Sequence, residues 1–261
     1  MTPVTLITGA SAGIGAELAR VFAAHGHALV LVARRQDRLE ALAEEIAAAG
    51  KPRPLVLAAD LGERDAVAQI REQLTARGLE PDIVVNNAGF GLSGAAAELS
   101  RDEQLAMIDL NVRALTDFSL AFVDSIARHR GGILNVASIV SFLPGPGMAV
   151  YYATKAYVLS FSEALHRELA GRGVRVTALC PGPVLTEFQV RSGMPVDGIP
   201  GFIMLPVQRV ARIGYRSLMR GKRVVVAGIG NKIIVWLFRL VPHALLMAAV
   251  DRRTQTRKSA A

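Results

Sequence analysis

Residues 4–15 read VTLITGASAGIG. The first half is a short apolar run closed by glycine, the pattern of a strand buried on both faces. The second half carries glycines at 9, 13 and 15, with Ser11, Ala12 and Ile14 between them. The following stretch, GAELARVFAAHG, reads as a helix stopped by a glycine. Glycines between a strand and a helix allow a tight turn and let the backbone approach a pyrophosphate. The helix N-terminus then offers free N–H groups and a positive dipole end to that anion. The spacing is GxxxGxG rather than GxGxxG, and glycines alone are weak evidence. Inside a strand–turn–helix unit the signal is much stronger. Gly9, Ser11, Ala12, Gly13, Ile14 and Gly15 are therefore candidates to cradle a dinucleotide.

The same alternation continues outward from this loop. Strand-like runs HALVLVARR, RPLVLAADL, PDIVVNNAG, GGILNVASI and VRVTALCPG alternate with helical stretches, and KRVVVAG reads as a seventh strand. The helical stretches include QDRLEALAEEIAAAG and ERDAVAQIREQLTARG. Residues 102–130 read as one long amphipathic segment, and AVYYATKAYVLSFSEALHRELAGRG as a long helix. This alternation predicts an α/β, Rossmann-type, doubly wound sheet of seven mostly parallel strands, with helices on both faces, in a single domain over 1–261. Ligands of such folds sit beyond the carboxyl ends of the strands. The second strand ends LVARR. An acid there would accept a ribose 2′-hydroxyl, whereas arginine accommodates a 2′-phosphate. Arg34 and Arg35 can pair with phosphate bidentately, so the expected cofactor is NADP(H).

Composition bounds the alternatives. The chain has 261 residues, 51% hydrophobic and 20% charged, enough for a substantial core. Its one cysteine, Cys180, excludes an internal disulfide and a CxxC motif, and reads as a buried structural thiol. No metal site is expected. The start, MTPVTLITGA, has no basic segment followed by a long apolar stretch, so the protein is read as cytoplasmic. The net charge of +8 is uneven: residues 1–208 sum to −3 and residues 209–261 to +11. A basic tail of this kind is most often a solvated face, but it also fits an anionic partner such as a membrane surface.

The stretch YYATK raises a narrower question. Residues four apart on a helix differ by about 40° in azimuth and residues three apart by about 60°. Tyr151 and Tyr152 both lie near Lys155 on that count, with a modest edge to Tyr151, while Tyr157 faces away. A nearby ammonium favours a phenolate, so Lys155 is expected to lower the pKa of its tyrosine. Geometry leaves both tyrosines open.

Taken together, TGASAGIG, NNAG at residues 86–89, Asn111, Ser138, YYATK and PGPVLT at residues 181–186 resemble the classical short-chain dehydrogenase/reductase family, of the NADP-preferring type. They occur in family order over residues 4 to about 188. The resemblance decides for Tyr151 as general acid/base. It implies that Lys155 tunes the tyrosine and binds the nicotinamide ribose, that Ser138 holds the substrate oxygen, and that Asn111 completes a proton relay through water. It further implies adenine contacts from Asp60 and Leu61, and a ribose wall from Asn87, Ala88 and Gly89. Pro181, Gly182, Val184 and Thr186 would embrace the nicotinamide. The implied activity is NADPH-dependent interconversion of a carbonyl and an alcohol, in a homodimer or homotetramer.

The remainder is less regular. Residues 1–186 make the cofactor-binding and catalytic core, and residues 187–206 are expected to form an apolar lid. The lid includes Phe188, Met194, Ile199, Phe202, Ile203, Met204 and Leu205, and Phe142, Leu143 and Met148 would form the opposite wall. Phe142, Tyr152, Phe188 and Phe202 are thus candidate substrate contacts for a hydrophobic carbonyl. Residues 231–261 form an apolar and basic extension. The run 231–250 is interrupted by Arg239, Pro242 and His243, so two short helices meeting at Pro242 fit better than a spanning helix. This extension could be a subunit interface, part of the substrate mouth, or a surface resting on an anionic membrane; the first two rank ahead. A cofactor-binding regulator without turnover and a nucleic-acid binder acting through the tail are the competing classes. Intact Ser138, Tyr151 and Lys155 argue against the first, and the lack of a recognition motif against the second.

Overall fold

The computed structural model describes residues 1–193 and 200–240, apart from the side chains of Val190, Arg191 and Arg239. Seven strands form one sheet: β1 Thr2–Thr8, β2 Leu29–Ala33, β3 Leu55–Ala58, β4 Leu79–Asn86, β5 Gly132–Val136, β6 Arg175–Cys180 and β7 Val224–Val226. Their spatial order is 3-2-1-4-5-6-7, and every neighbouring pair is parallel. The order reverses between β1 and β4, so a crevice opens there at the carboxyl ends.

Strand residues alternate between the two faces, as the pleat requires. Ile7, Leu31, Val85 and Leu134 meet one helical layer: α1 Gly13–Ala24, α2 Gln36–Ala48 and α9 Val207–Met219. Leu6, Val30, Val84 and Ile133 meet the other: α3 Ala66–Ala76, α5 Leu115–Ala121, α6 Val123–Arg128 and α7 Ala149–Leu169. The short α4, Arg101–Ile108, is capped by Ser100, whose hydroxyl accepts the Glu103 N–H at 3.3 Å. Each core side chain of leucine or phenylalanine size contributes about 1.5–3 kcal/mol by burial. The glycine stops are real: Gly26, Gly50 and Gly78 follow α1, α2 and α3 with positive φ of 85°, 73° and 67°.

Three expectations need correction. Residues 102–130 are not one regular helix. A π-helical turn, Asp109–Ala114, separates α4 from α5, and the chain breaks again at Phe122 before α6. The segment expected to form the lid contains, among its described residues, regular structure that its glycines and prolines did not suggest. It holds α8, Glu187–Ser192, and a 3₁₀ turn, Gly201–Ile203. Met194 and Ile199 lie outside the described residues. The helix α9 was not anticipated; it buries Val210, Ala211, Gly214 and Leu218 and leaves Arg209, Arg212 and Arg216 exposed on its other face. In the tail, α10 runs Ile229–Leu240, and everything from residue 241, including Pro242 and His243, lies outside the described residues.

Candidate active site

The glycine loop sits where β1 meets α1, at the switch point. Gly9 and Gly13 adopt φ of +65° and +56°, which side chains rarely tolerate. A Cβ on Gly15 would lie 2.3 Å from the Gly9 carbonyl oxygen. Asn87 holds this loop from the next strand: its Nδ2 donates to the carbonyls of Thr8 at 3.0 Å and Gly9 at 3.1 Å. Thr8 completes the clamp. Its hydroxyl donates to Val85 O at 3.2 Å and accepts the N–H groups of Asn87 and Ala88 at 3.0 and 3.1 Å. Thr8 was not singled out from sequence, although it stands beside Gly9 in the opening motif. The N-cap of α1 is Ala12, which has no side chain to satisfy the first N–H groups. Those donors are left to an anion.

A cleft of 680 Å³ runs from this loop across the strand ends. Every residue expected to bind cofactor lines it except Gly15, which braces the loop behind it. Ser138, Tyr151 and Lys155 line the same cleft. Glycine turns, uncapped donors and two arginines in one crevice fit a phosphorylated dinucleotide. Arg34 pairs with Asp60 at 3.7 Å, and Arg35 with Glu187 at 2.8 Å. Phe188 also lines the cleft, 5.5 Å from Tyr151 ring to ring.

The reactive cluster is built on two elements. Ser138 follows β5 and opens a 3₁₀ turn, Ile139–Phe142, whose Val140 N–H it accepts at 3.3 Å. Ser141, missed in the sequence, accepts the Ser138 N–H at 3.3 Å and donates to Lys155 O at 2.8 Å. That bond locks the serine turn to α7, which carries Tyr151 and Lys155. The Ser138 side chain stands near enough to the Tyr151 phenol to favour its ionised form. Lys155 Nζ donates to Val136 O at 2.8 Å and stands 6.0 Å from the Tyr151 ring centroid.

The electrostatics differ from expectation. Burial pushes the Tyr151 phenol up; the nearby Ser138 opposes this only in part. Burial likewise pushes the Lys155 ammonium down to about 8, with Cys180 opposing. No lowering of Tyr151 by Lys155 is seen: the ammonium donates to Val136 O, and burial sets the direction of the tyrosine's shift. Tyr151 is thus held protonated, the state of a proton donor. Burial also pushes the Cys180 thiol up to about 12, in keeping with a structural thiol.

Other candidates fall elsewhere. Asn111, on the π-turn, spends its side chain on positioning: Oδ1 accepts the Phe90 N–H at 3.1 Å, and Nδ2 donates to Phe90 O at 2.9 Å and Thr154 Oγ1 at 3.1 Å. Tyr152 packs beside Phe90 and Met148 and covers Gly145 instead of lining the cleft. Phe142 packs with Leu115 and Val158 under α7, so it too is not a cleft residue. Phe202 is 69% exposed, against Gly230 of α10. Tyr157 faces away, its hydroxyl 3.0 Å from that of Thr116. Among the described residues, no three metal-ligating side chains cluster and no helix is long and apolar enough to cross a membrane.

Comparison with known proteins agrees with this arrangement. The family model for short chain dehydrogenase matches residues 3–194. A sulfoacetaldehyde reductase of Chromohalobacter salexigens is 41% identical over 201 residues, covering 74% of this chain and 77% of that one. A short-chain dehydrogenase from Sphingobium yanoikuyae, solved in complex with NADPH, superposes with a TM-score of 0.79 at 35% identity, over 87% of this chain and 88% of that one. A bulky-bulky ketone specific alcohol dehydrogenase from Comamonas testosteroni gives 0.76 at 30% identity, over 99% and 94%. The chain belongs to the short-chain dehydrogenase family of oxidoreductases.

Proposed function

We propose that the chain reduces a hydrophobic ketone or aldehyde to an alcohol with NADPH, or runs the reverse reaction. The observation that carries this reading is a single cleft lined both by Ser138, Tyr151 and Lys155 and by Arg34 and Arg35. When bound, the dinucleotide supplies the hydride. Arg34 and Arg35 would hold its 2′-phosphate, and the uncapped start of α1 its pyrophosphate. Ser138 and Tyr151 would aim their hydroxyls at the substrate oxygen, where negative charge develops. Tyr151, kept neutral by burial, would release its proton to that oxygen as the alcohol forms. Lys155 and Asn111 would hold the surrounding backbone in register through Val136 and Phe90.

The wall nearest Tyr151 is apolar, with Phe90, Leu110, Ile139, Val140 and Phe188. That lining favours a bulky, uncharged substituent, as in the name of the Comamonas enzyme, over a sulfonate, as in the name of the Chromohalobacter one. Absorbance of the nicotinamide tests this with bulky aryl ketones, long-chain aldehydes, 3-oxoacyl thioesters and sulfoacetaldehyde. The reading predicts oxidation of NADPH fastest with the bulky apolar carbonyls. NADPH binding with no turnover on any of them would instead mark a regulator.

A second reading concerns placement. Ile229, Ile233, Trp236, Leu237 and Leu240 form an exposed stripe on α10, and residues 209–261 carry a charge of +11. An apolar stripe beside cationic sequence fits the surface of an anionic bilayer. Contact with a second copy, as in a homodimer or homotetramer, would cover the same stripe. Flotation with anionic and neutral vesicles separates the two: binding only to anionic vesicles supports the membrane, and no binding supports the subunit contact.

A further inference from the structure

Arg35 is already engaged without a nucleotide. Its Nη1 lies 2.8 Å from Glu187 Oε2, and its Nη2 donates to Ser11 Oγ at 3.2 Å. Ser11 belongs to the glycine loop, while Glu187 opens α8, the helix that roofs the cleft. Arg34 makes only the longer pair with Asp60 at 3.7 Å. One of the two cations suited to a 2′-phosphate therefore ties the roof to the floor.

The next residue of the roof touches the reactive tyrosine. The Phe188 ring lies 5.5 Å from that of Tyr151, and a Cβ on Gly91 would meet both Phe188 Cζ and Tyr151 Cδ2 at 3.1 Å. Behind it, Gln189 Oε1 accepts from Thr186 N at 2.9 Å and Thr186 Oγ1 at 3.1 Å. Thr186 in turn stands over Gly13, 3.3 Å from where a Cβ would be. The position of α8 is thus fixed on one side by the Arg35–Glu187 pair and on the other by the nicotinamide loop.

We propose that Glu187 is an internal carboxylate competitor for Arg35, and that a ribose 2′-phosphate displaces it and frees α8 from its closed position over Tyr151. The inference rests on the NADP(H) reading of the cleft. Arg35 spends Nη1 on Glu187 and Nη2 on Ser11, so a phosphate that takes both of these donors must displace the carboxylate. A phosphate monoester near its second ionisation carries more charge than a carboxylate, so it wins the fork. Glu187 then stands beside a like charge, which pushes α8 outward. A nucleotide without the 2′-phosphate leaves the pair intact and the roof closed. Glu187 thereby makes cofactor choice and access to Tyr151 one event.

The Glu187–Arg35 pair is half-exposed, so Glu187→Gln leaves the fold intact and its effect is modest. Loss of competition and of repulsion together predict about three- to tenfold tighter binding of a 2′-phosphate. Calorimetry of the full chain with adenosine 2′,5′-bisphosphate and with 5′-AMP tests this, alongside hydrogen exchange of residues 187–193. The bisphosphate is expected to bind Glu187→Gln about three- to tenfold tighter than wild type, with AMP unchanged. In wild type the bisphosphate, but not AMP, should speed exchange in 187–193. In the variant that exchange should be fast without ligand. Unchanged bisphosphate affinity in Glu187→Gln, or slower exchange on bisphosphate binding to wild type, would overturn the competition. Equal wild-type affinity for both nucleotides would overturn the NADP(H) reading and this inference with it.

Discussion

Lys155 Nζ donates to the carbonyl oxygen of Val136 at 2.8 Å, two residues before Ser138. The ammonium therefore anchors the end of β5 to α7 across the floor of the cleft. Burial pushes it down to about 8. A cation with a lowered pKa loses its charge as pH rises through that lower value. Tyr151, pushed the other way, stays protonated there. In the reducing direction kcat/KM for NADPH should be level at neutral pH and fall as pH rises through about 8. A pH profile of kcat/KM checks this, because that ratio reports groups of the free enzyme. A profile flat to well above that value would remove the charged lysine from the account.

The glycine cradle makes a second prediction. A methyl group on Gly15 would meet Gly9 O at 2.3 Å and Asn87 Nδ2 at 2.4 Å. The loop must shift to admit it, which moves the donors meant for the pyrophosphate. Gly15→Ala should weaken NADPH binding by at least about tenfold, the loss of roughly one charge-assisted hydrogen bond. Calorimetry measures it, with a thermal melt to confirm that the variant is folded.

A buried amide chain braces the two strands behind the site. Asn86 Nδ2 donates to Asn135 Oδ1 at 2.8 Å and Ser119 Oγ at 2.9 Å, and Asn135 Nδ2 donates to Ser162 Oγ at 2.9 Å. These bonds join β4 and β5 to α5 and α7. Asn135→Ala breaks two of them in a site with no exposure. The expected cost is about 1–3 kcal/mol, read from urea denaturation.

Acid sensitivity should depend on Glu80. It is buried on β4 and paired with Arg128 and with His129 Nε2, the latter at 2.8 Å. The Arg128 bond, and then that of His129, hold its carboxyl below the ordinary range, against burial. A depressed carboxylate contributes stability above its unfolded pKa and loses it as pH falls through the folded one. Glu80→Gln should therefore melt below wild type at neutral pH, and the gap should close below about pH 4. A gap that persists unchanged in acid would show that the ion pair is not its source.

The sheet was legible because buried parallel strands are continuous apolar runs, and because glycines end the first three helices. The glycine turn was legible for a similar reason: Gly9 and Gly13 sit at positive φ, which local sequence records, whereas Asn87 came only with the family resemblance. The π-turn at Asn111 was not, since its residues keep helical spacing and only the hydrogen-bond ladder changes. The substrate wall was least legible. Phe142 and Tyr152 have the right chemistry and lie beside the right residues, but the direction of a side chain on a short turn or a crowded helix face depends on its packing partners. Glu187 and Ser141 were missed because their roles exist only across long separations, to Arg35 and to Lys155.

The choice between adjacent tyrosines tests the account most directly. Tyr151 lines the cleft with Ser138, whereas Tyr152 packs over Gly145 outside it. NADPH oxidation by an accepted ketone should be measured for wild type, Tyr151→Phe and Tyr152→Phe, with NADPH affinity determined for each. The account predicts that Tyr151→Phe binds NADPH nearly as wild type and loses about 10²- to 10⁴-fold in kcat, while Tyr152→Phe keeps most of its activity. An active Tyr151→Phe, or an inactive Tyr152→Phe that still binds NADPH, would contradict it.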